Sequence, residues 1–88
     1  MGPIAEEITR RLTDAFAPVT LTVSDDSAQH HGHAGHRPGG ETHFSVALTA
    51  AAFAGKSRVE RQRMVHAVLA DLMDNPIHAL ALTVNAPV

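Results

Sequence analysis

"SRVERQRMVHAVLADLMDNP", residues 57–76, decides the topology of this chain. Ser57 and Glu60 stand in an S-x-x-E pattern. In that pattern the serine hydroxyl takes the amide three residues on, and the glutamate reaches back to the serine amide, so a helix opens there. Val65, Leu69, Leu72 and Met73 then lie along one side, which predicts a helix running to about Met73. Asn75-Pro76 ends it. Runs with a period of two flank this helix. "THFSVALT", residues 42–49, places Phe44, Val46 and Leu48 on one face, and "IHALALTV", residues 77–84, does the same for His78, Leu80, Leu82 and Val84. A helix between two strands of one sheet is a crossover, and a crossover joins parallel strands with right-handed sense.

Toward the N-terminus, Ile4, Ile8, Leu12 and Ala15/Phe16 recur at helical spacing and predict a helix over Pro3 to Phe16. Pro3 suits the first turn, and Pro18 stops the helix. Glu6 and Glu7 near its start, with Arg10 and Arg11 further on, agree with the helix dipole. "VTLTV", residues 19–23, alternates apolar residues with threonine, as a half-buried strand does. It is expected to pair antiparallel with residues 42–49. "AAAFAG", residues 50–55, predicts a single helical turn closed by Gly55. The order is α-β-β-α-α-β: an α+β fold with a three-stranded mixed sheet and helices on one face.

The chain has 88 residues, so a single domain over residues 1–88 is expected. Hydrophobic residues make up 44%, with no Trp, no Tyr and three Phe, so the core must come mainly from Leu, Val, Ile and Ala. A net charge of −2 argues against a bulk polyanion binder. There is no cysteine, which excludes disulfides and any thiolate metal site made by this chain alone. No apolar run approaches the roughly 20 residues needed to span a membrane, and "MGPIAEEITRR" lacks the apolar core of a signal peptide. The expected location is cytoplasmic, with no membrane partner.

Between the first two strands lies a long connection, residues 24–41. It holds four of the seven histidines, His30, His31, His33 and His36, among glycines and a proline. A hairpin needs two residues there. Closing 18 instead costs about 2 kcal/mol more in chain entropy. Long connections inside compact domains are usually functional or disordered. On composition alone, a solvated tract, adventitious binding of Zn²⁺ or Ni²⁺, and a dedicated ligand role all stay open. For His43 a structural hydrogen bond is expected, and for His66 a solvent-facing or packed position.

The words "SDDSAQHHGHAG", "GGETHF", "FAGKSRVERQRMV" and "IHALAL" occur in that order at fitting separations. In them the chain resembles the BolA-like proteins, from Ile4 to about Thr83. The resemblance implies a class II KH-like fold of the same α-β-β-α-α-β order. It also implies a non-catalytic adaptor, monomeric alone. Such an adaptor forms a heterodimer with a monothiol glutaredoxin carrying glutathione, and the pair shares a [2Fe-2S] cluster for its assembly, trafficking or iron sensing. By the resemblance, one ligand is His78 in the "HAL" word and a second comes from the long connection, where family members use Cys or His. Counting from the "DDS" word favours His30, and anchoring on "GHAG" favours His33. Two imidazoles can replace two thiolates on one iron of such a cluster, in their neutral form. The remaining ligands are implied to be a glutaredoxin cysteine and the glutathione cysteine. The isolated chain is expected to bind no cluster.

Lys56, Arg58, Arg61 and Arg63 gather four of the seven Lys/Arg at the start of the long helix. Cations there oppose the helix dipole, which points to a use: docking the partner, or contacting nucleic-acid phosphate. The family usually has R-H-R where this chain has Arg61-Gln62-Arg63. KH-like folds bind nucleic acid and BolA-like proteins are linked to transcriptional regulation, so the resemblance implies a DNA-binding transcription regulator as the alternative reading. It lacks an aromatic stacking platform and a G-x-x-G clamp after the second strand. No H-E-x-x-H spacing supports a metal hydrolase.

Overall fold

The computed structural model describes residues 2–27, 42–73 and 75–87. Along the chain come α1 (Pro3–Phe16), β1 (Thr20–Asp25), β2 (His43–Thr49), a 3-10 turn (Ala51–Phe53), α2 (Arg58–Val68), a second 3-10 turn (Ala70–Leu72) and β3 (Ala79–Asn85). The sheet order is β1-β2-β3. β1 and β2 are antiparallel, and β2 and β3 are parallel across the α2 connection. The α+β architecture and mixed sheet are as the sequence predicts.

The helices begin where the side chains say they should. Ser57 Oγ accepts from the Glu60 amide at 3.1 Å, and the Ser57 amide donates to Glu60 Oε1 at 2.9 Å. These bonds hold the Glu60 carboxyl below its ordinary value, with the Ser57 amide the largest cause. α1 ends at Ala17, which adopts φ 46° and donates its amide to the Thr13 carbonyl. Gly55, at φ 75°, turns the chain from the first 3-10 turn toward α2, a conformation that glycine takes without strain.

One face of the sheet carries the core. Phe44, Val46 and Leu48 of β2 are buried with Ile8 and Leu12 of α1, Val65 of α2 and Leu69 just after it. Phe53 is also buried and meets Phe16 with ring centroids 4.8 Å apart. The opposite face presents small side chains: Thr22, Ala47, Ala81 and Thr83 are exposed.

Three strand and long-helix boundaries differ from expectation by two residues or more. β1 runs to Asp25, because the ladder continues through Ser24↔Ser45 and Asp25↔Phe44. α2 stops at Val68 rather than near Met73, and the chain tightens into the 3-10 turn as the Leu69 amide is shared between the carbonyls of Val65 and His66. β3 begins at Ala79, so His78 precedes the strand and is exposed, while Ile77 is buried. The predicted common face of His78 with Leu80, Leu82 and Val84 is thus corrected. The cause lies in the backbone. The amides of His78 and Ala79 both donate to the Thr42 carbonyl, at 2.7 and 3.1 Å. In a regular strand successive amides point to opposite sides, so the alternation is broken here.

Arg11 ties α1 to the end of the crossover. Its Nε lies 2.7 Å from Glu7, it pairs with both Asp71 oxygens, and it donates to the Val68 carbonyl at 3.3 Å. The Arg11 guanidinium holds the Asp71 carboxyl below its ordinary value, and Arg10 followed by Arg11 does the same for Glu7. A carboxyl lowered in the folded state stabilises it above the unfolded-state value, and that contribution is lost as pH falls through the lowered one.

Two outcomes follow from this packing. Leu48→Ala lowers unfolding free energy by about 2–5 kcal/mol in urea titration, since the side chain is fully enclosed. Asp71→Asn lowers the midpoint of thermal unfolding near pH ~7, and the gap from wild type closes as pH falls through the lowered Asp71 value and that carboxyl takes up its proton.

Candidate functional site

The residues that bound the long histidine-bearing connection meet at one end of the sheet. Ser27 and Thr42 are both buried, at 3% and 6% exposure, although each is polar. Their burial is matched by hydrogen bonds. Ser27 Oγ accepts from the Thr42 amide at 3.0 Å and from the His43 amide at 3.1 Å. The Ser27 amide in turn donates to Asp25 Oδ1 at 2.9 Å, a turn that aspartate favours two residues before the amide it takes. The Asp26 amide donates to the His43 carbonyl at 2.7 Å, and the Asp26 carboxylate accepts from the hydroxyls of Ser24, at 2.9 Å, and Ser45.

His78 stands beside this junction. Its backbone is anchored on Thr42, while its side chain is exposed and forms no hydrogen bond with a described residue. The imidazole is therefore presented to solvent on a fixed backbone, not on the inward strand face expected of it. His43 opens β2, and its Nδ1 lies 2.9 Å from Thr42 Oγ1, the structural hydrogen bond that its sequence position predicts. His66 is half-buried on α2. The four connection histidines, His30, His31, His33 and His36, fall outside the described residues. Among the described residues, no three His, Cys, Asp or Glu side chains gather in a way that could hold a metal ion.

The cationic cluster divides. Lys56, Arg58 and Arg61, with Gln62, line a groove of about 400 Å³ against residues 82–85 of β3. Arg63 is exposed and does not line it. Arg61 is committed to the fold: it donates to the carbonyls of Phe53 at 3.1 Å and Val84 at 3.4 Å. Gln62 reaches the Leu82 carbonyl at 3.5 Å. Lys56 and Arg58 are exposed and carry the groove's remaining positive charge.

A family model described as BolA-like protein matches residues 12–88. The chain belongs to the BolA-like family. This BolA-like chain is 40% identical to the human BolA-like protein 1 over 87 residues, covering 99% of its own length and 61% of that protein's. It therefore spans about three fifths of the length of that relative. It is also 40% identical over 79 residues to the DNA-binding transcriptional regulator BolA of Escherichia coli K12, covering 90% of itself and 71% of that protein. Among solved structures, the BolA domain of SufE1 from Arabidopsis thaliana superposes with a TM-score of 0.86 at 37% identity, over 99% of this chain and 95% of that one.

The junction formed by Ser27 and Thr42 was not foreseen from the sequence. The signal was there as two small hydroxyl residues bracketing the connection, one after "DD" and one before "HF". Nothing in a linear reading pairs residues 15 positions apart.

For the cationic groove, Arg61→Ala lowers unfolding free energy by about 1–2 kcal/mol because two carbonyls lose a charged donor. Arg63→Ala, at an exposed site, changes it by less than about 0.5 kcal/mol. Chemical denaturation of the two variants measures the difference.

Proposed function

We propose that this BolA-like chain is a non-catalytic cytoplasmic adaptor. It binds a monothiol glutaredoxin carrying glutathione and co-ligates a [2Fe-2S] cluster for cluster assembly, trafficking or iron sensing. One observation carries the reading: an exposed imidazole, His78, on a backbone anchored at the junction where the histidine-bearing connection leaves and rejoins the sheet. The chain's donor set fits such a role. With no cysteine it has no thiolate to offer, so its contribution is imidazole and the other ligands come from the partner.

His78 supplies one ligand from a fixed position. The second comes from His33 or His30, which are six and three residues beyond Ser27, contour lengths of about 20 and 10 Å. When bound, the cluster supplies the electron-accepting and iron-delivering chemistry. Lys56 and Arg58, exposed at the start of α2, offer an electrostatic docking surface to an acidic or glutathione-bearing partner.

A second reading, a nucleic-acid-binding transcription regulator, is favoured by the same groove and by the Escherichia coli relative's description as DNA-binding. Here Lys56 and Arg58 would contact phosphate, giving a salt dependence with a log–log slope of about −1.8 on duplex DNA.

Titrating cluster-loaded glutaredoxin with the wild-type chain changes its visible absorbance and circular dichroism, and His78→Ala abolishes the change. A wild-type titration that leaves the spectrum untouched overturns the adaptor reading. A salt-dependent gel shift on DNA that disappears in Lys56→Ala/Arg58→Ala, together with a silent spectrum, selects the second reading instead.

A further inference from the structure

The Ser27 hydroxyl is buried, and its hydrogen bonds with described residues all go to Thr42 and His43. Its two lone pairs are taken by the amides of Thr42 and His43, at 3.0 and 3.1 Å. Its oxygen also lies 3.3 Å from Thr42 Oγ1, and Thr42 Oγ1 lies 2.9 Å from His43 Nδ1. The Thr42 peptide is thus gripped from its amide side. From its carbonyl side it receives the amides of His78 and Ala79.

We infer that Ser27 is a positioning residue for the His78 imidazole: its hydroxyl fixes the Thr42 peptide, and the Thr42 carbonyl fixes the backbone that presents His78 outside the regular strand. The inference rests on the adaptor reading for its purpose, but its geometry belongs to this chain alone. Two hydrogen bonds separate the serine from the histidine amide. Losing the hydroxyl leaves two amides at a buried junction without their acceptor, so this corner opens locally while the core stays closed. Thr42→Val is the matched control. It removes a neighbouring buried hydroxyl from the same junction and leaves both amide bonds to Ser27 in place.

The test begins with amide hydrogen exchange on the full chain without partner. Ser27→Ala speeds exchange at His78 and Ala79 on the order of tenfold, while the Val46 amide in the middle of β2 keeps its wild-type rate. Thr42→Val leaves His78 and Ala79 protected. Should Ser27→Ala fail to fold, Asp25→Ala, which removes the acceptor of the Ser27 amide at an exposed position, speeds exchange at the same two amides. In the second arm, cluster-loaded glutaredoxin is added. Ser27→Ala then alters the visible circular dichroism of the mixed complex, and Thr42→Val reproduces the wild-type bands. Unchanged His78 and Ala79 exchange in the serine variant overturns the inference, as does an equal disturbance by Ser27→Ala and Thr42→Val. A wild-type chain that gives no mixed complex while Ser27→Ala still frees His78 defeats the adaptor reading and leaves the positioning role standing.

Discussion

The carbonyl of Thr42 accepts the amides of His78 and Ala79, and this shared acceptor starts the parallel ladder between β2 and β3. Once that ladder is in register, Phe44, Val46 and Leu48 lie beside Leu80, Leu82 and Val84, and the core face is complete. The same acceptor interrupts the strand alternation by one step. Ile77 goes inward, His78 goes outward, and the core keeps its closure without burying an imidazole. A neutral histidine sealed among aliphatics would need hydrogen-bond partners for both ring nitrogens, which this aliphatic core does not offer.

The start of α2 does two jobs whose demands conflict. β3 is an edge strand, and exposed edges invite unwanted pairing. Arg61 and Gln62 reach across to the Val84 and Leu82 carbonyls and occupy the hydrogen-bonding groups that such pairing would use. The charge cluster is therefore partly a device for covering the sheet edge. That tempers its reading as a binding patch. A cation spent on two carbonyls is held in place and is less free to follow a ligand than Lys56 or Arg58. Gln62 keeps a donor toward β3 without adding a titrating group.

Much of the fold was legible in one dimension because its signals are local. The capping box at Ser57 and Glu60, the stripe through Ile8 and Leu12, and the alternation at Phe44, Val46 and Leu48 each act within one or two turns or a single strand. The misplaced boundaries fall where a distant partner decides. Asp25 joins β1 because Phe44 pairs with it, and His78 leaves the strand face because of Thr42. The pairing of Arg11 with Asp71 likewise has no sequence signature, since 60 residues separate the two.

The amino-acid sequence by itself determined the element order, the parallel crossover, the absence of any thiolate and the supply of imidazoles, because periodicity, capping chemistry and composition are properties of neighbouring residues. Tertiary structure alone decided that His78 faces solvent, that Ser27 and Thr42 close the sheet end beneath it, and that Arg61 serves the fold. Those outcomes depend on hydrogen bonds between segments that are remote in the chain and meet only once the sheet has formed.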